Sequence, residues 1–342
     1  MILTAFSLTA CFGISDPASL NADDSSDSET SPETSPATHA TIYIGTQKTS
    51  SISALFKFRL NISDNTISFV DSVDLTAFGD DNIRSTFLYN QVIYAGGRNS
   101  GSAAFIPVNH SNFSLGSLED VSAAASVRGI AHGMCFLSNG NFIIGGYNQE
   151  FTEYSSSNNS IATSDTSGAI DINSMTRCFE GDNTSELYFI DYDGNSDSDG
   201  DIVYATKSGS DWSEVSRYDL SSNGGGSLYA MVKHTDGNLY AFPQNLGLAA
   251  KNIIQCDSVS TNKLGSCNAT SGDTIGSGIV QTAVQIPDSN DMIYIDATSS
   301  SNVRLYRVNT TSFTRTFIAE LSGIGLIVRN QFGVRGMEII AE

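Results

Sequence analysis

Residues 229–242 read YAMVKHTDGNLYAF, two short apolar runs on either side of a polar turn. The turn, Thr235 to Asn238, consists of residue types that tolerate hairpin geometry. The second, stronger run recurs at intervals of 51, 49, 45, 52 and 54 residues, beginning at Ile42, Ile93, Phe142, Leu187, Leu239 and Ile293. Five of the six runs carry Tyr at their second position, and Ile143 stands there in the other. The sequence therefore contains six repeats of about 50 residues each.

Each repeat has room for four strands. A weaker run precedes every strong run but the first through a tight turn, and two further weak runs follow each strong one. No helical periodicity appears between residues 41 and 342, where β-branched and aromatic runs alternate with Gly, Asn, Asp and Ser. Four antiparallel strands in every repeat are typical of a β-propeller blade. The sequence predicts an all-β fold over residues 41–342, a six-bladed β-propeller of four-stranded antiparallel blades.

The two ends of this region lack complementary strands. Ile42–Gly45 has no inner strand before it, because the preceding residues are acidic and polar. Residues 333–340, GVRGMEII, have the inner-strand pattern, and only Ala341 and Glu342 follow them. We therefore expect the C-terminal strand to join the N-terminal blade and close the ring, which leaves no open sheet edge between the first and last blades.

The charge of the chain excludes some partners. Its 342 residues include 17 Lys+Arg against 37 Asp+Glu, a formal net charge of −20. A nucleic-acid partner is not expected, because binding to a phosphate backbone requires a basic surface. Docking on anionic lipid through a polybasic patch is disfavoured for the same reason. No apolar stretch reaches the roughly 18 residues of a membrane-spanning helix. We expect a monomer whose membrane contact is limited to an N-terminal anchor.

Residues 1–11, MILTAFSLTAC, form a short apolar segment that ends in small residues, as the end of a secretory signal does. Leu8 to Cys11 resemble the bacterial lipobox, in which Cys11 would be lipidated and become the mature N-terminus. No Lys or Arg precedes Cys11, and the alternative is a buried cysteine on an N-terminal strand. Residues 12–40 are rich in Ser, Thr, Pro, Asp and Glu, which predicts a disordered acidic tether.

This layout is similar to that of bacterial lipoproteins. The resemblance implies a lipid-anchored protein of the cell envelope, and Phe12 after the cysteine favours the outer membrane or the cell surface. Several acyl chains would hold such a protein firmly, whereas one chain anchors only marginally.

Two stretches carry a resemblance to known propellers. Residues 127–131 leading to 138–143, and residues 229–231 leading to 236–240, are similar to blade motifs of the NHL, YVTN and lactonase-like propellers. The similarity extends over most of residues 41–342. It concerns how an inner strand turns into the next, so we assign the motif's Gly and Tyr residues to folding. Lactonase-like propellers hold a metal in the channel through carboxylate and amide ligands, which implies a hydrolase as an alternative function.

An acidic segment lies between the second and third strands of the fourth repeat. Residues 191–201 read DYDGNSDSDGD, and their alternating side-chain oxygens are Asp191, Asp193, Asn195, Asp197, Asp199 and Asp201. Hard cations such as Ca²⁺ take six to eight oxygens from a flexible loop. Residues 195–200 resemble the first half of an EF-hand loop, but the closing Glu is missing, since Thr206 stands at its position. The segment predicts a structural calcium site, and the alternative is a solvated hairpin tip.

The other four cysteines are even in number, which favours disulfides in an envelope compartment. Cys256 and Cys267 flank a short loop in the fifth repeat, and we expect them to be bonded. Cys135 and Cys178 occupy equivalent places on the inner strands of neighbouring blades, where they are either bonded or two small buried hydrophobes. None has the Cys-x-x-Cys spacing of a zinc site.

Basic and imidazole side chains fall near the predicted inner strands, where a propeller lines its channel. Arg84, Arg128 and Arg335 stand in similar Ile/Val-Arg contexts ahead of three inner strands, and His132 and His234 lie at strand ends. The arginines would either present a cationic ring to an anionic ligand or neutralise nearby carboxylates, and we prefer the second interpretation. Both histidines are expected to be packed or hydrogen-bonded.

No nucleophile elbow, phosphate loop or zinc-protease motif is present. The inner strands carry few candidate ligands for a metal, with Glu180 and Glu338 as their clear carboxylates. The sequence therefore favours a cell-envelope lipoprotein whose propeller binds a protein or a small molecule. A metal-dependent, lactonase-like hydrolase with its site in the channel is the alternative.

Overall fold

The structure is a computed structural model. It describes residues 37–78, 83–99, 102–121, 133–145, 151–157, 160–164, 172, 175–192, 199–223, 226–244, 251–257 and 263–342. Six residues that the sequence singled out lie outside these ranges: Cys11, Arg128, His132, Asp193, Asn195 and Asp197. So does most of the predicted tether, residues 12–40. No helix within the described ranges is long and apolar enough to cross a membrane.

The described chain is built from β-strands. In chain order they are β1 (His39–Gln47), β2 (Ser53–Asn61), β3 (Thr66–Asp74), β4 (Ile83–Tyr89), β5 (Val92–Asn99), β6 (Ser102–Asn109), β7 (Ser114–Leu115), β8 (Glu119–Val121), β9 (Gly133–Phe136), β10 (Phe142–Gly145), β11 (Phe151–Tyr154), β12 (Ser160–Ser164), β13 (Met175–Glu180), β14 (Glu186–Asp191), β15 (Asp201–Ser208), β16 (Asp211–Asp219), β17 (Leu228–Lys233), β18 (Asn238–Pro243), β19 (Ile254–Asp257), β20 (Cys267–Ala269), β21 (Ile279–Gln285), β22 (Asp291–Ser299), β23 (Asn302–Asn309), β24 (Arg315–Glu320) and β25 (Val334–Ala341). Short 3-10 segments follow β3, β16 and β24, at Thr76–Phe78, Leu220–Asn223 and Leu321–Ile324.

The strands form the predicted ring of six four-stranded antiparallel blades. The inner strands of blades 2 to 6 are β4, β9, β13, β17 and β21, and each is followed outward by the next strands in sequence. In blade 2 the outermost strand is split, since β7 and β8 both pair with β6. Blades 3 and 4 are joined at their outer edges, where β12 pairs in parallel with β16.

The C-terminal strand closes the ring, as predicted. β25 pairs antiparallel with β1 from Ala40 opposite Ala341 to Thr46 opposite Val334. It is therefore the inner strand of blade 1, whose other strands are β1, β2 and β3. This arrangement pairs residues almost 300 positions apart and covers the inner edge of β1.

The hydrophobic core is divided into six clusters, one between each pair of neighbouring blades. Successive side chains of a strand point to opposite faces, so a strand inside a blade serves two clusters. In β1, Ile42 and Ile44 pack toward blade 6, whereas Tyr43 packs toward blade 2. This explains why the strong runs of the sequence are apolar throughout instead of alternating with polar residues.

The tyrosine pattern is misleading in the last repeat. Tyr43, Tyr188 and Tyr240 each pack toward the following blade. In blade 6 the packing is reversed, because Ile293 faces blade 1 and Tyr294 faces blade 5. The structural repeat therefore begins one residue before Ile293, and a shift of one residue exchanges the two faces of a strand.

Both cysteine pairs are bonded. Cys256 of β19 and Cys267 of β20 lie directly opposite each other and form a disulfide within blade 5, as predicted. Cys135 of β9 and Cys178 of β13 form a disulfide that joins the inner strands of blades 3 and 4. For this second pair the structure selects the bonded form of the two alternatives that the sequence left open.

Candidate functional site

A β-bulge interrupts the inner strand of five blades near the residue where that strand begins. In blade 2 the register shifts so that Arg84 is an extra residue between the paired positions Ile83 and Ser85. Equivalent shifts set apart Tyr229 in blade 5, Gln281 in blade 6 and Arg335 in blade 1. In blade 4 the shift falls between Met175 and Cys178, a stretch that includes Thr176. The inner strand of blade 3 is described only from Gly133 and is regular there. Bulges redirect side chains and are frequent beside functional sites.

The displaced side chains converge on one pocket. It is small, with about 30 Å³ of space for the centre of a water molecule, and lies where the inner strands begin, at the mouth of the central channel. Its lining consists of the five bulge residues and one neighbour: Arg84, Thr176, Tyr229, Gln281, Arg335 and Val334. Five blades thus contribute the same structural position to one site, and the chemistry of that site depends on which residue each repeat carries there.

The pocket has a cationic side and a neutral polar side. Arg84 and Arg335 come from the adjacent blades 2 and 1, while Thr176 and Tyr229 come from blades 4 and 5, across the ring. No carboxylate is among its described lining residues. Two guanidinium groups that line one pocket repel each other and attract an anion, to which each can donate a planar pair of N–H groups.

Neighbouring contacts hold the lining in place. Arg335 donates from Nη2 to Gln47 Oε1 at 3.2 Å. With its side-chain amide assigned the orientation that satisfies both groups, the Gln281 nitrogen donates to the carbonyl of Val334, the first residue of β25, and at 2.9 Å to that of Phe332, two residues before it. The ring of Tyr229 packs on Tyr192, with 4.4 Å between the ring centroids. These contacts restrict side-chain rotamers, which lowers the entropy lost when a ligand is bound.

Beneath the pocket an ion pair crosses the channel. Arg177 of β13 in blade 4 donates from Nη1 to Glu338 Oε1 of β25 at 3.2 Å and to the carbonyl of Thr86 in β4 at 3.1 Å. Blade 4 is a neighbour of neither blade 1 nor blade 2, so this contact spans the central channel. Thr86 Oγ1 also lies 3.4 Å from the same carboxylate oxygen. Burial raises the pKa of Glu338, and the charge of Arg177 opposes that shift.

The ends of the acidic segment lie beside the pocket in the fold, because Asp191 pairs with Met175 at the start of β13. Asp191 and Asp201 are buried, and both bind the guanidinium of Arg217, the former at 3.3 Å. Burial raises the pKa of Asp201 to about 6, against the opposing charge of Arg217. Asp199 accepts a hydrogen bond from the amide of Gly226 at 2.5 Å.

These contacts bear on the predicted calcium site. Asp191 and Asp201 already have a cationic partner, whereas three of the remaining candidate ligands lie outside the described residues. Within the described part of the chain, no three His, Cys, Asp or Glu side chains are grouped so that they could hold a metal ion. The calcium site stays a prediction.

His234 lies in the β17–β18 turn and is not among the residues that line the pocket. It is 3% exposed, its Nδ1 accepts from the Asp236 amide at 3.1 Å, and its ring meets Tyr240 edge-on. Glu180 also lies away from the pocket, where its carboxylate accepts hydrogen bonds from the amide and hydroxyl of Ser138.

Sequence reasoning identified part of this site and missed the rest. Arg84 and Arg335 were candidates because of their shared Ile/Val-Arg context, and the structure brings them together. Thr176, Tyr229 and Gln281 share no residue type with them, and only the bulge in each inner strand reveals their equivalence. An alignment of the repeats that allowed one extra residue per inner strand would have found them.

Comparison with known proteins supports the fold and nothing finer. No family model matches the chain, and no curated protein matches it. Among solved structures, a candidate 6-phosphogluconolactonase from Bacteroides uniformis superposes with a TM-score of 0.52 at 11% identity, over 87% of this chain and 84% of that one. A second from Bacteroides fragilis gives 0.52 at 10% identity, over 91% and 100% of the two chains. A protein from Lactobacillus plantarum gives 0.53 at 10% identity, over 88% and 99%. The likeness extends to the β-propeller fold.

Proposed function

We propose that the protein is a binding module whose ligand is a small anion held at the mouth of the propeller channel. The observation that carries the proposal is the convergence of Arg84 and Arg335, each displaced by a bulge, on a pocket with no carboxylate among its described lining residues. Guanidinium groups recognise carboxylates and phosphates through paired hydrogen bonds. In a chain with a net charge of −20, such a cationic pocket also distinguishes the channel mouth from the acidic surface.

The same lining favours binding over hydrolysis. General acid–base catalysis and metal binding rely mostly on carboxylates, imidazoles and thiols. The described lining offers instead guanidinium, hydroxyl, amide and aliphatic groups. The likeness to candidate lactonases at 10–11% identity concerns the fold, so it adds no support for a hydrolase.

A titration with sulfate, phosphate and citrate tests the proposal. At least one of these anions is expected to bind, and Arg84→Gln and Arg335→Gln are each expected to weaken its binding by about 10- to 100-fold, because each removes a charge-assisted contact worth roughly 1.5–3 kcal/mol. Isothermal titration calorimetry measures the affinity. Arg304→Gln is the matched control, since it changes net charge equally but lies on β23, two strands outward, where Arg304 pairs with Glu320 on the surface. An affinity that falls equally in the control, or that survives the loss of both pocket arginines, would contradict the proposal.

We further propose that the protein works in the cell envelope, anchored through Cys11. Two disulfides fit an oxidising compartment, since cytosolic thiols are kept reduced. The lipobox-like residues 8–11 and the acidic residues after them support the anchor.

Metabolic labelling with a fatty-acid analogue in a bacterial host tests the anchor. The wild-type protein is expected to be labelled and to fractionate with membranes, whereas Cys11→Ser is expected to be unlabelled and released, because acyl chains supply the membrane affinity. The double variant Cys256→Ser, Cys267→Ser keeps Cys11 and leaves no new free thiol, so it is the control and is expected to be labelled as wild type is. Equal labelling of wild type and Cys11→Ser would remove the lipoprotein assignment.

A further inference from the structure

The ion pair beneath the pocket is placed so that it can take part in binding. Arg177 directly follows Thr176, which lines the pocket, so the backbone of Arg177 lies at the pocket floor. Its guanidinium points deeper into the channel, toward Glu338 and Thr86. Thr86 lies two residues along β4 from Arg84, and Glu338 three along β25 from Arg335, which places them about 7–10 Å below the pocket arginines. A rotation of one flexible side chain would therefore bring Arg177 from its present partner to a ligand in the pocket.

Few charges other than Arg177 face Glu338 from the described residues. β21 packs against β25 and has no ionisable side chain, its sequence being IVQTAVQ. β1 contributes Tyr43, whose hydroxyl donates away from the channel to the carbonyl of His110, and His39 at its outer end. β4 contributes Arg84 at the pocket and Tyr89 at its other end, where that ring stacks on Phe136. β25 itself contributes Arg335 at the pocket, and β13 contributes Glu180, which is held by Ser138.

An anion in the pocket changes the balance between these groups. While Glu338 is ionised, it neutralises Arg177, and it also repels any second negative charge placed above it. A bound anion raises the proton affinity of a nearby carboxylate in the same way as any like charge. Burial already raises the pKa of Glu338, so an anion in the pocket acts on this carboxyl in the same direction as burial. Once Glu338 is neutral, Arg177 loses its counter-charge.

We propose that Arg177 is a third cationic residue of the anion site, and that its ion pair with Glu338 keeps it from the pocket until an anion binds. Binding of the anion is coupled to uptake of a proton by Glu338. The inference rests on the proposed function, because it concerns the same pocket. Its direction is fixed by linkage: a site that binds a proton together with its ligand gains affinity as pH falls through the pKa range of the group concerned. The steepest change for one proton is about tenfold in affinity per pH unit.

Calorimetry with sulfate tests the coupling on the unmodified protein, since sulfate keeps its charge across the neutral range. Titrations in two buffers of different ionisation enthalpy report the number of protons taken up, and we expect a net uptake of at most one proton per sulfate in the pH range where the affinity changes. We also expect the affinity to rise as the pH is lowered. A binding enthalpy independent of the buffer, an affinity independent of pH, or no sulfate binding at all would overturn the inference.

Two variants test whether Glu338 takes up the proton and whether Arg177 is the third cation. Glu338→Gln copies the protonated carboxyl, so it is expected to bind sulfate about tenfold more tightly than wild type above neutral pH and to lose the pH dependence. Adding Arg177→Gln to this variant removes the cation without leaving a buried charge unpaired, and it is expected to reverse the gain. Glu180→Gln, on the same strand as Arg177, is the control and is expected to behave as wild type. If Glu338→Gln does not fold, the proton uptake and the pH dependence of the unmodified protein still decide the question.

The outcomes separate the two proposals. Sulfate binding that depends on Arg84 and Arg335 but releases no buffer protons, and that is unchanged in Glu338→Gln, would overturn the coupling and leave the pocket intact. Sulfate binding that is indifferent to Arg84 and Arg335 would overturn the pocket itself.

Discussion

Removal of residues 333–342 is expected to abolish cooperative unfolding of the propeller. β25 supplies the whole inner edge of blade 1, pairing with β1 from Ala40 to Thr46. Val334, Met337 and Ile339 also belong to the core cluster between blades 6 and 1. Without β25 the backbone groups along a buried edge of β1 would lose their partners, and each orphaned group costs free energy comparable to a lost hydrogen bond. An exposed apolar edge strand also promotes aggregation.

Circular dichroism during heating and size-exclusion chromatography measure this effect. The truncated chain is expected to melt without a sharp transition or to elute as aggregates. Removal of residues 12–38 is the control, and it is expected to leave the melting temperature nearly unchanged, because that acidic, polar segment has little apolar surface to contribute. A truncation at residue 332 that melts as wild type does would mean that the ring closes without β25.

Replacement of Lys207 by Met is expected to destabilise the protein by about 3–5 kcal/mol, because it leaves a buried carboxylate without its cation. The carboxylate is that of Glu153, which is fully buried between blades 3 and 4. Lys207 donates to both of its oxygens, at 2.9 and 2.7 Å. Trp212 Nε1 and Asn141 Nδ2 also donate to it, at 3.1 and 2.8 Å, but neither brings a charge. Met keeps most of the length and apolar surface of Lys, so the loss reports on charge.

Urea denaturation gives the free energy of unfolding for this comparison. Lys48→Met is the matched control: Lys48 pairs with Asp74 at a similar distance of 2.9 Å, but on the surface. Such exposed pairs contribute about 0–1 kcal/mol. A Lys207→Met protein no less stable than the control would contradict the assignment of Lys207 as the cation that stabilises the buried Glu153. Adding Glu153→Gln to Lys207→Met is expected to recover part of the loss, since it removes the unpaired charge.

The ring could be predicted from the sequence because every blade places the same two requirements on its residues. A strong apolar run must be buried on both faces, and a tight polar turn must join it to a neighbour, so the period of about 50 residues is visible without alignment to any other protein. The closure by β25 followed from the absence of a partner for Ile42–Gly45. The register, which decides the face of the blade that each residue occupies, was less evident from the sequence. The reversed facing of Tyr294 shows that matching residue types can be displaced by one position.

The site was predicted less completely because it depends on register and on distant contacts. A bulge adds one residue without changing the apolar pattern around it, so Thr176, Tyr229 and Gln281 were not recognised as equivalent to Arg84. The Arg177–Glu338 pair joins residues 161 positions apart on opposite blades, and no local pattern indicates such a pair. Likewise, the alternating carboxylates of residues 191–201 gave no sign that Asp191 and Asp201 share Arg217 as a partner, and the calcium site stays a prediction.

The junction between blades 3 and 4 breaks the sixfold repetition of the ring. It is tied at the inner edge by the Cys135–Cys178 disulfide, in the middle by the Glu153 cluster, and at the outer edge by backbone pairing of β12 with β16. The described outer strands of the other blades have no such backbone pairing with a neighbouring blade. Mechanically, blades 3 and 4 therefore act as one unit, and the ring consists of five units that meet at five interfaces. If the channel mouth widens or narrows, the movement must occur at those five interfaces. One of them is the interface between blades 6 and 1, where the ring closes. There Gln281 hydrogen-bonds to the backbone at the start of β25, and Arg335 lines the pocket.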